Sequence, residues 1–147
     1  MINEMSETPR ILLVNRAVIL EEDHILLLQR SPDNSHNPEE WESPGGQIDP
    51  GETIEEGTVR EVDEETGLKI ELSLPLAYVE RRIIEDGKYE GRLYVVFFHL
   101  ARILSGDLKV SDEHTGAVWQ PSRSLMKVNL TPQTNRALSS LRHQGII

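Results

Sequence analysis

Apolar and polar positions along this chain alternate between two rhythms. Residues 11–20 (ILLVNRAVIL) are almost continuously apolar and β-branched, as expected of a strand buried on both faces. A polar turn at Glu21–Asp23 follows, and ILLLQR at 25–30 reads as a second strand in a hairpin with the first, Arg30 sitting where it runs out. Residues 31–40 (SPDNSHNPEE) hold two prolines, two asparagines and no apolar side chain, which predicts a loop. Trp41 then anchors a short WESPGG segment ending in Gly45 and Gly46, where the backbone can take conformations closed to other residues. The helical period shows from Ile54 to Thr66. Ile54, Thr58, Val59, Val62 and Thr66 fall on one arc at 100° per residue, and Gly57, Glu61, Glu64 and Glu65 on the next. Thr53 is its N-cap, Glu56 completes a capping box, and Gly67 stops it. Downstream, LAYVERRII at 76–84 and RLYVVFFHLARIL at 92–104 predict a second hairpin around EDGKYEG, the latter run being the strongest core strand. A polar loop at 105–115, a short strand at 117–120 carrying Trp119, a turn opened by Pro121 and a helix over 131–143 with Pro132 at its first position complete the chain. The order β-β-loop-α-β-β-β-α predicts an α/β fold: a mixed sheet with helices on its faces.

A length of 147 residues suits one domain, expected over 1–147 with a flexible leader at 1–9. The 37% hydrophobic and 27% charged composition is that of a soluble globular protein. A net charge of -10 and a pI near 4.9 argue against a nucleic-acid polymer as partner, since such affinity comes from Lys and Arg neutralising phosphates. No stretch approaches the roughly 20 apolar residues of a membrane span, and MINEMSETPR has no export-type pattern. A cytoplasmic enzyme without a membrane partner is the expectation. There is no cysteine, so any metal must be held by oxygen or histidine.

Charge concentrates in GQIDPGETIEEGTVREVDEETGL, residues 46–68, where eight acidic residues face one base, Arg60. Like charges at helical spacing repel, so such a cluster must stay solvated or bind cations. Glu61, Glu64 and Glu65 stand at i, i+3 and i+4 on one side of the helix, and three carboxylates suit Mg²⁺ or Mn²⁺, hard cations that commonly bridge protein to phosphates. Gly57, one turn before Glu61, leaves room for a loop or ligand against the helix. Arg60 can reach Glu52, Glu56 or Glu64 and so orient a ligand. Asp49, Glu55 and Asp63 are read as solvated.

These residues resemble a Nudix box, G-x5-E-x7-R-E-U-x-E-E-x-G-U with U aliphatic: Gly46, Glu52, Arg60, Glu61, Val62, Glu64, Glu65, Gly67 and Leu68 occupy every defined position. The upstream WESPGG is similar to the family's aromatic-x-x-Pro-Gly-Gly approach, with Ser43 in place of a larger apolar residue. The resemblance implies an α/β/α sandwich with the box as loop-helix-loop, and hydrolysis of a nucleoside diphosphate linked to a group X. It further implies that Glu61, Glu64, Glu65 and the Gly46 carbonyl ligate Mg²⁺ or Mn²⁺, while Glu52 pairs with Arg60. A bound metal acidifies water and neutralises charge on phosphoryl oxygens. The proton of the attacking water goes to a carboxylate. Glu64 or Glu65 can take it, as can Glu113 on the late loop, since family members differ in where the base lies.

Outside the box, Arg30 is a candidate phosphate contact, as are Gly45 and Gly46. Arg81, with Arg82 and Lys88, is a weaker substrate candidate, because alternate strand residues usually form a solvated face. His36 reads as exposed, Trp41 and Trp119 as core anchors. The markers that resemblance would assign to ADP-ribose (a proline about 16 residues past the box) or dinucleoside polyphosphates (a tyrosine at about 18) are missing, positions 84–86 being Ile, Glu and Asp. A small nucleotide of the (d)NTP type is therefore favoured. ADP-ribose, nucleotide sugars, dinucleoside polyphosphates or a silent nucleotide sensor are the alternatives. An isoprenyl diphosphate isomerase is disfavoured without cysteine, and a homodimer stays open.

Overall fold

The computed structural model describes residues 10–147, without the side chains of Leu74 and Pro75; the leader at 1–9 lies outside the described residues. Strands β1 (Ile11–Glu21), β2 (His24–Arg30), β3 (Trp41–Glu42) and β4 (Gly45–Gln47) precede helix α1 (Ile54–Thr66). Strands β5 (Lys69–Ile83), β6 (Leu93–Ser105) and β7 (His114–Pro121), a 3-10 turn at Ser122–Lys127 and helix α2 (Pro132–His143) follow.

The mixed sheet runs β3-β2-β1-β6-β5, with β4 added to β1 and β7 to β2. β1 pairs in parallel with β6 from Ile11–Leu93 to Ile19–Ala101. The expected first hairpin is correspondingly short: β1 and β2 pair only at Leu20–Ile25 and Glu21–His24, after which β2 turns to β7 and β3. A run apolar on both faces cannot announce its partner, and here the longer pairing is with a strand about 80 residues on. The second hairpin forms as expected, β5 and β6 pairing antiparallel from Tyr78–Phe98 to Ile83–Leu93. β5 begins at Lys69, well before residue 76, with a register shift between Ser73 and Tyr78 where Pro75 withholds its N–H.

Burial explains the two-sided apolar runs. Val14, Val18, Ile25 and Leu27 pack with Phe98 against Ala137, Leu138 and Leu141 of α2. Their alternates Ala17, Ile19, Leu26 and Leu28 pack with Ile70 and Leu72 against Val62 of α1. Helices thus cover both sheet faces, the α/β/α arrangement, and each fully buried leucine side chain contributes about 1.5–3 kcal/mol.

α1 takes the expected bounds for the expected reasons. Thr53 accepts from Glu56 N and the Glu56 carboxylate accepts from Thr53 N, while Gly67, left-handed at φ 75°, donates to the Asp63 carbonyl. Gly45 is required by close approach: a Cβ there would stand 2.0 Å from the Asn15 carbonyl at φ +152°, so only glycine lets β4 lie on β1. Replacing Thr53 with Ala is expected to lower stability by about 1 kcal/mol, read as a lower urea midpoint with an unchanged slope.

Candidate active site

Arg60 closes the box upon itself. Its Nε lies 2.6 Å from Glu52 Oε2 and its Nη2 3.0 Å from Glu52 Oε1, a two-point pair across the turn before α1. Nη1 donates to Glu61 (3.2 Å) and Glu64 (3.1 Å), and Nη2 also to the Gln47 carbonyl (3.3 Å). Of the partners open to Arg60 in sequence, Glu52 and Glu64 are engaged, while Glu56 caps the helix instead. Its hydrogen bond to Arg60 holds the Glu52 carboxyl below the usual range.

The three helix carboxylates share a face but have different surroundings. Glu64 is 60% exposed at its side chain. Glu61 is half-buried with its carboxylate against Gly46, where a Cβ would come within 2.5 Å of Oε2. Glu65 turns inward, is buried, and accepts from the Gly45 N–H at 2.9 Å. Burial raises the carboxyl pKa of Glu61, and raises that of Glu65 to about 7 against the nearby charge of Arg16. Among the described residues no three carboxylate or imidazole groups are gathered to hold a cation as they stand; Arg60 lies between Glu61 and Glu64. The donor set nevertheless fits a hard divalent ion. It is all oxygen, it sits beside an exposed backbone turn with no room for a side chain at Gly46, and it contains two carboxyls that burial alone resists ionising.

Gly57 leaves its space to the loop: a Cβ there would meet Glu52 Oε1 at 3.1 Å and the Asn15 amide at 3.2 Å. Asn15, fully buried in β1, has its side-chain amide between the Gly46 carbonyl (3.0 Å) and the Thr58 N–H (3.2 Å); assigning its nitrogen to the first and its oxygen to the second satisfies both and ties β1, β4 and α1 together. The loop after β6 is strapped to the C-terminal end of α1 by Lys109 N to Thr66 O (2.8 Å) and Ser111 N to Glu65 O (3.0 Å). These bonds bring Glu113 to the same cavity as Glu65.

That cavity, about 410 Å³, is lined by the acids Glu42, Glu65 and Glu113, by Arg16, Arg30 and His114, and by Gly45. Glu42 is buried, and Arg16, a hydrogen bond from His114 and Arg30 overcome the burial that would raise its pKa, holding it near 2. A second cavity of about 450 Å³ opens beyond Arg16, Arg30 and Glu42, toward Arg82, Tyr94, Gln133 and Arg136.

The structure therefore gathers Arg30, Gly45, Glu65 and Glu113 around one cavity, with Gly46, Glu61, Glu64, Arg60 and Glu52 in the adjoining turn and helix face. It does not bring Arg81 there. Arg81 is exposed and paired with Val95 on the face opposite to Arg82, which lines the second cavity with its guanidinium 4.7 Å from the Tyr94 ring centre. His36 is exposed at the mouth of the second cavity. Arg16, Asn15, Glu42 and His114 went unread in sequence. A polar Asn-Arg pair inside the ILLVNRAVIL run was the one available signal for the first two.

A NUDIX domain family model matches residues 12–142, and the chain belongs to the Nudix family, whose members are divalent-metal-dependent pyrophosphohydrolases. The human 8-oxo-dGDP phosphatase NUDT18 is 38% identical over 109 residues, covering 71% of this chain and 30% of that protein, so the chain spans under a third of that relative. Nucleoside triphosphatase NudI of Escherichia coli is 27% identical over 128 residues, covering 83% of this chain and 88% of that protein. A crystal structure of the MutT NUDIX hydrolase from Burkholderia pseudomallei superposes with TM-score 0.75 at 29% identity, covering 89% of this chain and 98% of that one. No helix among the described residues is long and apolar enough to cross a membrane.

The Glu65 carboxyl gives this site a pH signature. Its pKa in the folded chain, about 7, exceeds the ordinary 4.5, so between these values the folded state binds the proton that the unfolded chain releases. Metal-free protein is expected to lose stability as pH rises from about 4.5 through 7, by on the order of 3 kcal/mol from this group. His99, whose pKa burial lowers, slopes the other way near its own range. Urea unfolding of wild type against Glu65→Gln in EDTA at pH 5 and pH 8 isolates the carboxyl, the variant lacking its share of the decline.

Proposed function

We propose that this chain is a single-domain Mg²⁺- or Mn²⁺-dependent pyrophosphohydrolase acting on small nucleotides in the cytoplasm, with nucleoside tri- and diphosphates, their deoxy and oxidised forms included, as its substrates. The observation that carries this reading is the lining of the first cavity: the box carboxylate Glu65 and Glu113 share it with Arg16 and Arg30. Such a cleft suits a polyphosphate, with carboxylates for a divalent ion and guanidiniums for the phosphoryl oxygens. The names of two relatives, a phosphatase of 8-oxo-dGDP and a nucleoside triphosphatase, support mononucleotide substrates over ADP-ribose or nucleotide sugars.

Glu61, Glu64, Glu65 and the Gly46 carbonyl would hold the divalent ion, which supplies charge neutralisation at the phosphoryl oxygens and acidifies water when bound. Arg60, held by Glu52, keeps Glu61 and Glu64 in place in its absence. Arg30 and the Gly45–Gly46 turn orient the phosphate chain. Water adds at one phosphorus, the bridging P–O bond breaks, and the leaving phosphate departs with the bridging oxygen. Glu113, which lines the cavity and is exposed enough to exchange its proton with solvent, takes the proton from the attacking water.

The test is product release across NTPs, dNTPs, 8-oxo-dGDP, ADP-ribose, diadenosine polyphosphates and nucleotide sugars, with Mg²⁺ and Mn²⁺ compared. Mononucleotides are expected to turn over fastest. Glu64→Gln is expected to reduce turnover by about 10²-fold or more with an unchanged circular dichroism spectrum. Full activity in that variant would remove Glu64 from the site. Glu113→Gln is expected to lower kcat with little change in KM.

A further inference from the structure

The wall between the two cavities is built from one carboxylate and two guanidinium groups. Glu42 Oε1 lies 2.9 Å from Arg30 Nη1 and 3.5 Å from Arg16 Nη2, while its Oε2 meets His114 Nε2 at 3.0 Å. The arginine side chains are 12% and 17% exposed, so this is an interior cluster. Their remaining bonds go to neutral groups: Arg16 to the Ser43 carbonyl and Gln133 amide oxygen, Arg30 to the His36 carbonyl and Asn34 amide oxygen. No second carboxylate among the described residues stands in ion-pair range of either arginine. Buried Glu65 acts on Arg16 from beyond that range, so Glu42 is the one carboxylate paired directly with both cations. Burying cations is costly unless they are paired, and in a chain of net charge -10 two guanidiniums sharing one carboxylate are a local concentration of the opposite sign.

We propose that Arg16 and Arg30, clamped by Glu42, form an anion seat for a phosphoryl group of the substrate, one that works without the divalent ion and holds a phosphate other than the one at the carboxylate face. The assignment rests on the pyrophosphohydrolase reading for its substrate and adds Arg16 as a binding residue. Guanidinium suits the task, since its planar donors match phosphoryl oxygens two at a time. Both arginines line both cavities, so a phosphate held there has the carboxylate wall on one side. On the other it has the space beside Tyr94 and Gln133 for the rest of the nucleotide. Glu42 and His114 are positioning residues. Glu42 fixes both guanidiniums by one oxygen, and His114 ties Glu42 to the first residue of β7, next to Glu113. Thr115 of β7 is left over between the Gln29–Gly116 and Arg30–His114 pairs, and this register shift brings Arg30 opposite His114.

Thermal unfolding of the metal-free protein in EDTA, titrated with inorganic pyrophosphate against NaCl of matched ionic strength, tests the seat. Wild type is expected to gain about 2–4 °C at saturating pyrophosphate beyond the salt control. Arg16→Met and Arg30→Met should abolish the gain, Glu42→Gln should weaken the apparent affinity about 10-fold or more, and Arg81→Met, on the opposite face, should retain it. In steady state, Arg16→Met should raise KM at least about 10-fold with a smaller change in kcat, and Arg16→Lys should recover part of that loss. No gain in wild type overturns the seat, as does a gain that survives both Met substitutions. Should Arg16→Met fail to fold, Arg30→Met and the wild-type titration decide. Pyrophosphate protection without hydrolysis of any nucleotide overturns the hydrolase reading and leaves the seat standing; hydrolysis without protection overturns the seat alone.

Discussion

Eight acidic side chains within one turn and one helix repel each other, and four of them, Asp49, Glu52, Glu61 and Glu64, gather on the guanidinium of Arg60. Its guanidinium reaches the box loop through Glu52 and Gln47, and the helix face through Glu61 and Glu64. The loop is thereby drawn across the N-terminal half of α1, over the gap left by Gly57. The same arrangement brings Glu61 and Glu64 onto one guanidinium nitrogen. In the proposed role a divalent ion would compete with Arg60 for them while Glu52 retains the guanidinium.

Backbone proximity provides the second constraint. Gly45 lies on the carbonyl of Asn15 and Gly46 on the carboxylate of Glu61, at separations that leave no room for a Cβ. This brings β4 between β1 and α1, turns the Gly45 N–H toward Glu65, and makes Glu65 an inward group. Its resistance to ionisation follows from that burial, so the site holds in one helix face an exposed carboxylate, a half-buried one and a buried one, and burial raises the pKa of the last two.

The same cleft holds cations. Arg16 sits in β1 where it pairs with β6 and Arg30 at the end of β2, and both converge on Glu42 because β3 runs beside β2. The cleft consequently brings together a carboxylate from α1, another from the loop before β7, and guanidiniums from β1 and β2. For the proposed polyphosphate substrate, the carboxylates would act through a cation and the guanidiniums directly.

By itself the sequence determined the helix, its caps and the acidic face, since these depend on neighbours within four residues: Thr53, Glu56 and Gly67 act where they stand. It also determined the family resemblance, whose spacing is local, and the two-sided burial of β1 and β2. Arg30 and Glu113 were legible as candidates only through that resemblance. Tertiary structure decided what distance along the chain conceals. It cut the β1–β2 pairing short and gave the greater length of β1 to β6. It sent Arg82 to the cavity and Arg81 away from it through strand parity that a run of two arginines cannot declare. It also turned Asn15 and Arg16, polar residues in an apolar strand, to opposite faces. One fastens the glycine turn and the other joins a buried cluster with Glu42 and His114, residues 26 and 98 positions further along the chain. Those partners meet only when the sheet closes, because the physics that selects them, desolvation of charge, does not exist until they are buried.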